Sequence, residues 1–136
     1  MNVTVYLASR HGTDPGYTEL ARQLGTWIGQ HHTLIYGGGT TGLMGELADA
    51  ALEQGGMVIG VIPRFLASKE IMHDSLTETF TVSTMAERKT KMMEMGEAFI
   101  ALPGGPGTLE EIAEIISLKR LRRIDAPCII YNYKGF

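Results

Sequence analysis

Short apolar runs that suit buried strands alternate with longer amphipathic segments along this chain of 136 residues. In the longer segments apolar residues recur at helical spacing, whereas the short runs have the length of strands and end at glycine or proline. The alternation restricts the fold strongly, because a strand, a helix and the next parallel strand connect through a right-handed crossover that lays the helix on the sheet. The sequence therefore predicts an α/β fold, a Rossmann-like doubly wound parallel sheet with helices on both faces.

The predicted elements cover most of the chain. Strands are expected at Val3–Ala8, Thr33–Tyr36, Met57–Ile62, Thr79–Ser83, Glu97–Leu102 and Cys128–Tyr133. Helices are expected at Pro15–Gln30, Gly42–Gln54, Met85–Met95 and Leu109–Leu118, and Arg64–Leu76 is expected to be irregular. We predict a single domain over residues 1–136. Since the sequence ends soon after the last strand, we expect the domain to lack a C-terminal helical tail.

Composition excludes several classes of protein. With 44% hydrophobic and 20% charged residues the chain is not of the disordered type, and a net charge of −3 offers no basic face for nucleic acid. The N-terminus has no cationic start followed by an apolar stretch, and no run approaches the roughly 20 apolar residues of a membrane span. The one cysteine, Cys128, has no CxxC or Cys–His partner, so no metal site is expected. We predict a cytoplasmic protein.

The strongest motif, Pro-Gly-Gly-Pro-Gly-Thr-Leu-Glu-Glu, covers Pro103–Glu111 between a predicted strand and a predicted helix. Glycines let the backbone approach a ligand, and the N–H groups of a helix N-terminus favour phosphate. The alternative is a tight turn in which Thr108 caps the helix and Glu111 closes a capping box. The strand–glycine–helix context favours a phosphate loop. Its expected ligand contacts are Gly104, Gly105, Gly107 and Thr108.

A second glycine-rich turn, Gly37–Gly45, follows another predicted strand. It matches neither the dinucleotide fingerprint nor the Walker loop, and by itself it suits a plain turn equally well. The carboxyl ends of parallel strands meet at one edge of the sheet, so the two turns together indicate a nucleotide lying across two strand ends. Gly38 and Gly39 are the expected contacts.

A pair of cations lies near the start of a predicted helix. Thr84 and Glu87 form a capping box, which places Arg88 and Lys89 in the first turns, where a cation opposes the helix dipole. This placement favours a role in holding an anionic substrate, and the alternative is two solvated charges. The methionines of this helix are expected in the core. They are Met85, Met92, Met93 and Met95.

The helix Leu109–Leu118 indicates self-association. It has one apolar stripe and, in addition, apolar residues that lie off this stripe. A surface helix needs only one stripe. The stripe comprises Leu109, Ile112, Ala113 and Ile116, and the additional residues are Ile115 and Leu118. We expect a two-fold homodimer through helices of this face.

Taken together, these motifs make the chain resemble the Lonely Guy family, the cytokinin riboside 5′-monophosphate phosphoribohydrolases, over nearly its whole length. The family pattern P-G-G-x-G-T-x-x-E is matched from Pro103 to Glu111, M-x-x-R-K from Met85 to Lys89, and G-G-G-x-x-G-L-M-G from Gly37 to Gly45. The resemblance implies hydrolysis of the N-glycosidic bond of a purine nucleoside 5′-monophosphate, adenosine-type or cytokinin, to free base and ribose 5-phosphate. It also implies no cofactor and a homodimer with sites close to the subunit contact.

The same resemblance implies roles for individual residues. Arg88 and Glu111 would form the catalytic pair. Glu70, Lys89 and the loop Gly105–Thr108 would contact the substrate. Two departures from the family, Ala8-Ser9-Arg10 in place of Gly-Ser-Ser and Ala86 in place of histidine, leave the preferred base open.

The chemistry of the bond agrees with these roles. Breaking an N-glycosidic bond builds positive charge on the ribose, which a carboxylate such as Glu111 can stabilise while Arg88 holds the phosphate or the charge on the leaving base. Glu111 could instead serve only its cap, and Glu110 is the less suitable base. The alternative from another class is a non-catalytic carrier or sensor of a phosphorylated ligand such as molybdenum cofactor or a nucleotide.

An older label for this family, possible lysine decarboxylase, does not fit the sequence. Pyridoxal chemistry needs a lysine that forms a Schiff base. No lysine here follows a strand in a setting of that kind. The lysines concerned are Lys69, Lys89, Lys91, Lys119 and Lys134.

Overall fold

The computed structural model of the protein describes residues 1–7, 15–67, 72–102, 111–117 and 126–130. The strands are β1 (Asn2–Tyr6), β2 (Thr33–Tyr36), β3 (Val58–Pro63), β4 (Glu78–Val82), β5 (Ala98–Ala101) and β6 (Cys128–Ile130). The helices are α1 (Pro15–His31), α2 (Gly42–Glu53), α3 (Arg64–Ala67) and α4 (Met85–Met95), and residues 111–117 are also helical and are called α5.

The six strands form one sheet in the order β4-β3-β2-β1-β5-β6, and every pair is parallel. The predicted parallel sheet is confirmed, including the parallel course of the strands that end near Tyr36 and Leu102. The chain winds outward from β1 to β4 on one side and then returns to β5 on the other side of β1. In such sheets ligands bind beyond the carboxyl ends of the strands at this reversal. A site is therefore expected near the ends of β1 and β5.

Side chains of β1 alternate between two cores, one on each face of the sheet. Val3 and Val5 pack with α1 and α2, whereas Tyr6 packs with Phe99 against the other face. The buried helical residues of the first core are Ala21, Ile28, Leu43, Leu47, Ala48 and Ala51, and those of the second are Met92, Ile112 and Ile115. Helices therefore cover both faces, as the doubly wound prediction requires.

Helices α1 and α2 approach so closely that a glycine is needed between them. A Cβ built on Gly29 would collide with the carbonyl oxygen of Ala51 and would lie 2.8 Å from its Cα. Both atoms belong to the backbone, which cannot move aside as a flexible side chain can. The whole of α1 would have to shift.

Replacing Gly29 by alanine is expected to lower the free energy of unfolding by about 1–2 kcal/mol. Overpacking costs about 1–3 kcal/mol, and the better helix propensity of alanine returns at most about 1 kcal/mol. Urea denaturation measures the difference. Gln23→Ala, at an exposed position of the same helix, should stay within about 0.5 kcal/mol of the wild type.

The structure departs from the sequence analysis at two points. Residues Arg64–Ala67 form the one-turn helix α3 inside the segment expected to be irregular, because one turn is too short to show helical periodicity. In α5 the buried side chains are Ile112, on the apolar stripe, and Ile115, off it, whereas Ile116 is 44% exposed, so the buried face of the helix differs from the stripe described above. No described helix is long and apolar enough to cross a membrane.

Candidate active site

The segment Gly37–Gly39, called the glycine loop, leaves β2 with each of its three carbonyl groups held by a donor. The Arg88 guanidinium donates from Nη2 to Gly37 O at 2.8 Å. The His73 main-chain N–H donates to Gly38 O at 3.0 Å, and the Tyr36 hydroxyl donates to Gly39 O at 2.7 Å. The loop is therefore held by Tyr36, which directly precedes it, and by His73 and Arg88, which lie further along the chain.

Two glycines of this loop are required by their surroundings. A Cβ built on Gly37 would collide with the Arg88 guanidinium and would lie 3.0 Å from Met44 Cε. Gly38 has φ of +83°, in the left-handed region that residues with a side chain rarely adopt. Glycine at position 37 thus leaves the space that Arg88 occupies, and glycine at position 38 permits the turn.

Arg88 is only 6% exposed, which makes the alternative of a solvated charge wrong for this residue. Its helix begins with a cap in which Thr84 Oγ1 accepts a bond from the Glu87 N–H at 3.1 Å, while Glu87 Oε2 accepts one from the Ser83 N–H at 2.8 Å. In an ideal capping box the Glu87 carboxylate would accept from the N–H of the cap residue, Thr84, whereas here it accepts from the residue before it, Ser83. A buried guanidinium needs polar partners, and Gly37 O supplies one.

The methionines of α4 only partly follow the prediction of a core role. Met92 is buried, and Met93 and Met95 are partly buried in the second core. Met85 is 44% exposed, and its sulfur lies 3.9 Å from Arg88 Nη1. The prediction is therefore wrong for Met85, which lies at the N-terminus of α4 beside the arginine.

The opposite end of α4 is bonded to β1. The buried Thr4 hydroxyl donates to Met92 O at 3.0 Å, and the Asn2 side-chain amide donates to Met95 O at 3.1 Å. Gly96 follows directly and leaves no room for a side chain beside Thr4 and Phe99. These bonds fix the position of α4 on the sheet and, with it, the position of Arg88.

Lys89, the residue after Arg88, lies beside Glu111 where α4 meets α5. Lys89 Nζ forms an ion pair with Glu114 Oε2 at 2.8 Å. Tyr6, Lys89, Glu111 and Glu114 line a cavity of about 10 Å³ together with Met93 and Ile115. This volume is close to that of one water molecule. Lys89 and Glu111 are thus brought together by α4 and α5, the helices that precede and follow β5.

The electrostatics of this cavity act on Tyr6, the last residue of β1. Burial raises the pKa of the Tyr6 hydroxyl well above its usual value, and the negative charge of Glu111 raises it further. The hydroxyl therefore stays protonated and able to donate a hydrogen bond near neutral pH. Burial raises the pKa of Tyr36 in the same way, so its bond to Gly39 O persists as well.

Several predicted site residues lie outside the described part of the chain. They are Glu70, Gly104, Gly105, Gly107 and Thr108, together with Glu110 and hence the capping box of Thr108 and Glu111. Among the described residues that were predicted for the site, Arg88 lies with Gly37–Gly39, and Lys89 lies with Glu111. Arg88 and Lys89 are consecutive residues of α4 and connect the two groups.

His73 and Tyr36 contact the glycine loop but were not predicted as site residues from the sequence. His73 is 6% exposed, and its Nε2 lies 2.7 Å from Asp49 Oδ1. No local pattern marks this pair, because the partners are 24 residues apart. In the described ranges, no three His, Cys, Asp or Glu side chains are grouped so that they could hold a metal ion.

The parallel doubly wound sheet, whose strand order reverses between β1 and β5, defines a Rossmann-like protein, and a buried arginine donates to the glycine loop that follows the neighbouring strand β2. A model of the family described as possible lysine decarboxylase matches residues 44–136. A cytokinin riboside 5′-monophosphate phosphoribohydrolase of Rhodococcoides fascians is 45% identical over 96% of this chain. One of Arabidopsis thaliana is 41% identical over 98%. The chain belongs to this family, the Lonely Guy family.

The chain spans 67% of the length of the Rhodococcoides relative and 63% of that of the Arabidopsis relative. Among solved structures, the molybdenum cofactor carrier protein of Chlamydomonas reinhardtii superimposes with a TM-score of 0.78 at 25% identity. That alignment covers 95% of this chain and 74% of the carrier. The likeness supports the Rossmann-like fold. That protein is described as a cofactor carrier, whereas the relatives above are described as hydrolases.

Proposed function

We propose that the protein hydrolyses the N-glycosidic bond of a purine nucleoside 5′-monophosphate, releasing the free base and ribose 5-phosphate. The names of the relatives at 41% and 45% identity support this proposal. The observation that carries it is the placement of Arg88 and Lys89 on α4. One cation holds the glycine loop, and the other lies beside the Glu111 carboxylate.

In this proposal Arg88 and the two glycine-rich segments bind the phosphorylated ribose. A guanidinium can donate hydrogen bonds in several directions, so Arg88 can hold Gly37 O and an anionic group of the substrate together. Lys89 adds a second positive charge. The proposed binding set is completed by Gly38 and Gly39 and by the contacts predicted from the sequence, which are Glu70, Gly104, Gly105, Gly107 and Thr108. Fixing the substrate in this way supplies orientation before the bond breaks.

Glu111 supplies the catalytic charge. As the bond to the base breaks, the ribose ring gains positive charge, which a nearby carboxylate stabilises. The same carboxylate can take a proton from the attacking water, whose oxygen then forms the new bond to C1′. The purine nitrogen keeps the electron pair of the broken bond and takes up a proton, from this carboxyl group or from solvent, to leave as the free base. Glu111 lines a cavity of about 10 Å³, which is about the smallest volume that holds one water molecule.

Incubation with AMP tests the proposal. We expect free adenine and ribose 5-phosphate in equal amounts, separated by liquid chromatography, with no added metal or cofactor. A preparation of the Arg88→Ala variant serves as the matched blank for contaminating activity. Absence of adenine at micromolar protein, with AMP binding retained, would contradict the proposal.

A non-catalytic carrier is the second candidate, favoured by the structural likeness to the molybdenum cofactor carrier. A carrier needs an anion-binding loop but has no need of a carboxylate beside the sugar. The placement of Glu111 next to Lys89 therefore favours the hydrolase. Binding of a phosphorylated pterin without any turnover of AMP would favour the carrier.

The proposal includes a two-fold homodimer and a cytoplasmic location. In α5 Ile116 is 44% exposed, and Ile129 and Ile130 of β6 are 54% and 58% exposed. These side chains support self-association through this region, because closed homodimers are the commonest assembly. Light scattering is expected to give twice the mass of the chain, and a monomer at micromolar concentration would contradict the expectation.

A further inference from the structure

A buried histidine outside the proposed catalytic set is bonded on both ring nitrogens. His73 Nε2 lies 2.7 Å from Asp49 Oδ1, and His73 Nδ1 accepts a hydrogen bond from the Ser75 N–H at 3.1 Å. Because Nδ1 accepts, the proton of the neutral ring lies on Nε2 and faces the carboxylate of Asp49. We call His73, Asp49 and Ser75 the clasp.

The clasp joins two segments that enclose the glycine loop. One segment contains Met72, which forms an antiparallel bridge with Gly39, and His73, whose main-chain N–H donates to Gly38 O. The other is α2, which begins at Gly42, after Thr40 and Thr41, and carries Asp49. The His73 side chain therefore fixes the segment from which the Gly38 carbonyl receives its hydrogen bond.

The direction of the Gly38 carbonyl sets the direction of the next N–H group. In a planar trans peptide the C=O and N–H point to opposite sides, so the bond from His73 turns the Gly39 N–H away from His73. Glycine adopts left-handed and ordinary conformations about equally, so Gly38 with φ of +83° does not hold this geometry by itself. The bond from His73 favours one conformation of the loop.

We propose that His73, held by Asp49, is a positioning residue that orients the Gly39 N–H for the anionic substrate before it binds. The inference rests on the proposed function, in which Gly38 and Gly39 contact the nucleotide. The clasp acts through the loop and touches no reacting atom. Its loss should therefore weaken substrate and transition state equally, which raises KM and leaves kcat unchanged.

Steady-state kinetics with AMP test the clasp in four variants. His73→Ala and Asp49→Ala should each raise KM about 10-fold or more, with kcat within about twofold, because small displacements of a binding group are costly. The double variant should be no worse than the more affected single variant, since both remove one coupled interaction. His73→Gln, which keeps a donor directed at Asp49, should recover part of the loss.

The matched control is Glu53→Ala on the same helix. Glu53 forms an exposed ion pair with Arg22 at 2.6 Å, far along α2 from the glycine loop. This variant loses a carboxylate contact of α2 as Asp49→Ala does, but its KM for AMP should equal that of the wild type. Lowered thermal stability in the clasp variants with unchanged KM would overturn the proposal.

Amide hydrogen exchange separates this inference from the proposed function. Exchange at residues 38–40 should accelerate about 10-fold in His73→Ala and Asp49→Ala but not in Glu53→Ala, because local opening becomes easier. If the wild type neither binds nor hydrolyses AMP, the proposed function fails. The exchange experiment still tests whether the clasp holds the conformation of the glycine loop. Unchanged exchange in both clasp variants overturns the inference whatever the substrate. Should His73→Ala not fold, Asp49→Ala provides the same test from a half-exposed side chain.

Discussion

Glu111→Gln is expected to lower kcat for AMP hydrolysis by about 10²–10³-fold while AMP still binds. Glutamine keeps the shape of the side chain and can also serve in a capping box, so the fold of α5 should persist. The change removes the negative charge that the proposed function places beside the ribose. Single-turnover rates measure the loss, and calorimetric titration with AMP measures the binding that Arg88 and the glycine-rich segments retain.

Glu94→Gln is the control for this change, since Glu94 lies on the exposed side of α4. It should turn over AMP at the wild-type rate. Wild-type turnover by Glu111→Gln would instead show that Glu111 serves its helix only. The catalytic role would then pass to Glu110 or the protein would be a carrier.

Gly37→Ala is expected to reduce kcat/KM for AMP by about 10²-fold or more. The new methyl group would occupy the position of the Arg88 guanidinium, so the arginine must leave Gly37 O and its place in the site. A displacement of about 1 Å in a positioning group can cost this much. Steady-state kinetics give the effect, and a crystal structure of the variant would show the moved guanidinium.

Two comparisons isolate the cause. Gly37→Ala combined with Arg88→Ala should be no slower than Arg88→Ala alone, because both changes remove the same contact. Gly29→Ala carries a similar steric conflict between α1 and α2, away from the glycine loop. It should lose stability but keep its activity well below its melting temperature. Additive losses in the double variant would show that Gly37 acts independently of the arginine.

Much of the fold could be predicted because its determinants are local. Helix α4 was predicted at Met85–Met95, where it begins and ends, since Thr84 caps it and Gly96 follows it. The parallel sheet followed from the spacing of strands and helices. The one-turn helix α3 was not predicted, because a single turn is too short to show helical periodicity.

The site could be predicted only as a set of residues, since its geometry depends on contacts between distant segments. Arg88 was expected near a helix N-terminus, but its burial follows from the approach of Gly37, 51 residues away. His73 offered no signal because its partner lies on α2. In α5, helical spacing alone could not decide whether Ile115 or Ile116 faces the sheet, and the structure buries Ile115.

The hydrogen bonds at the C-terminal end of α4 also bear on the position of Arg88, near its N-terminal end. The hydrogen bonds from Thr4 and Asn2 hold its last turn against β1, whereas Arg88 lies four residues, about 6 Å, towards its other end. A small tilt of the helix at its C-terminal end therefore moves the Arg88 guanidinium as well. The alignment of the site is set at the opposite edge of the sheet, so a substitution at Thr4 would alter turnover without touching the substrate.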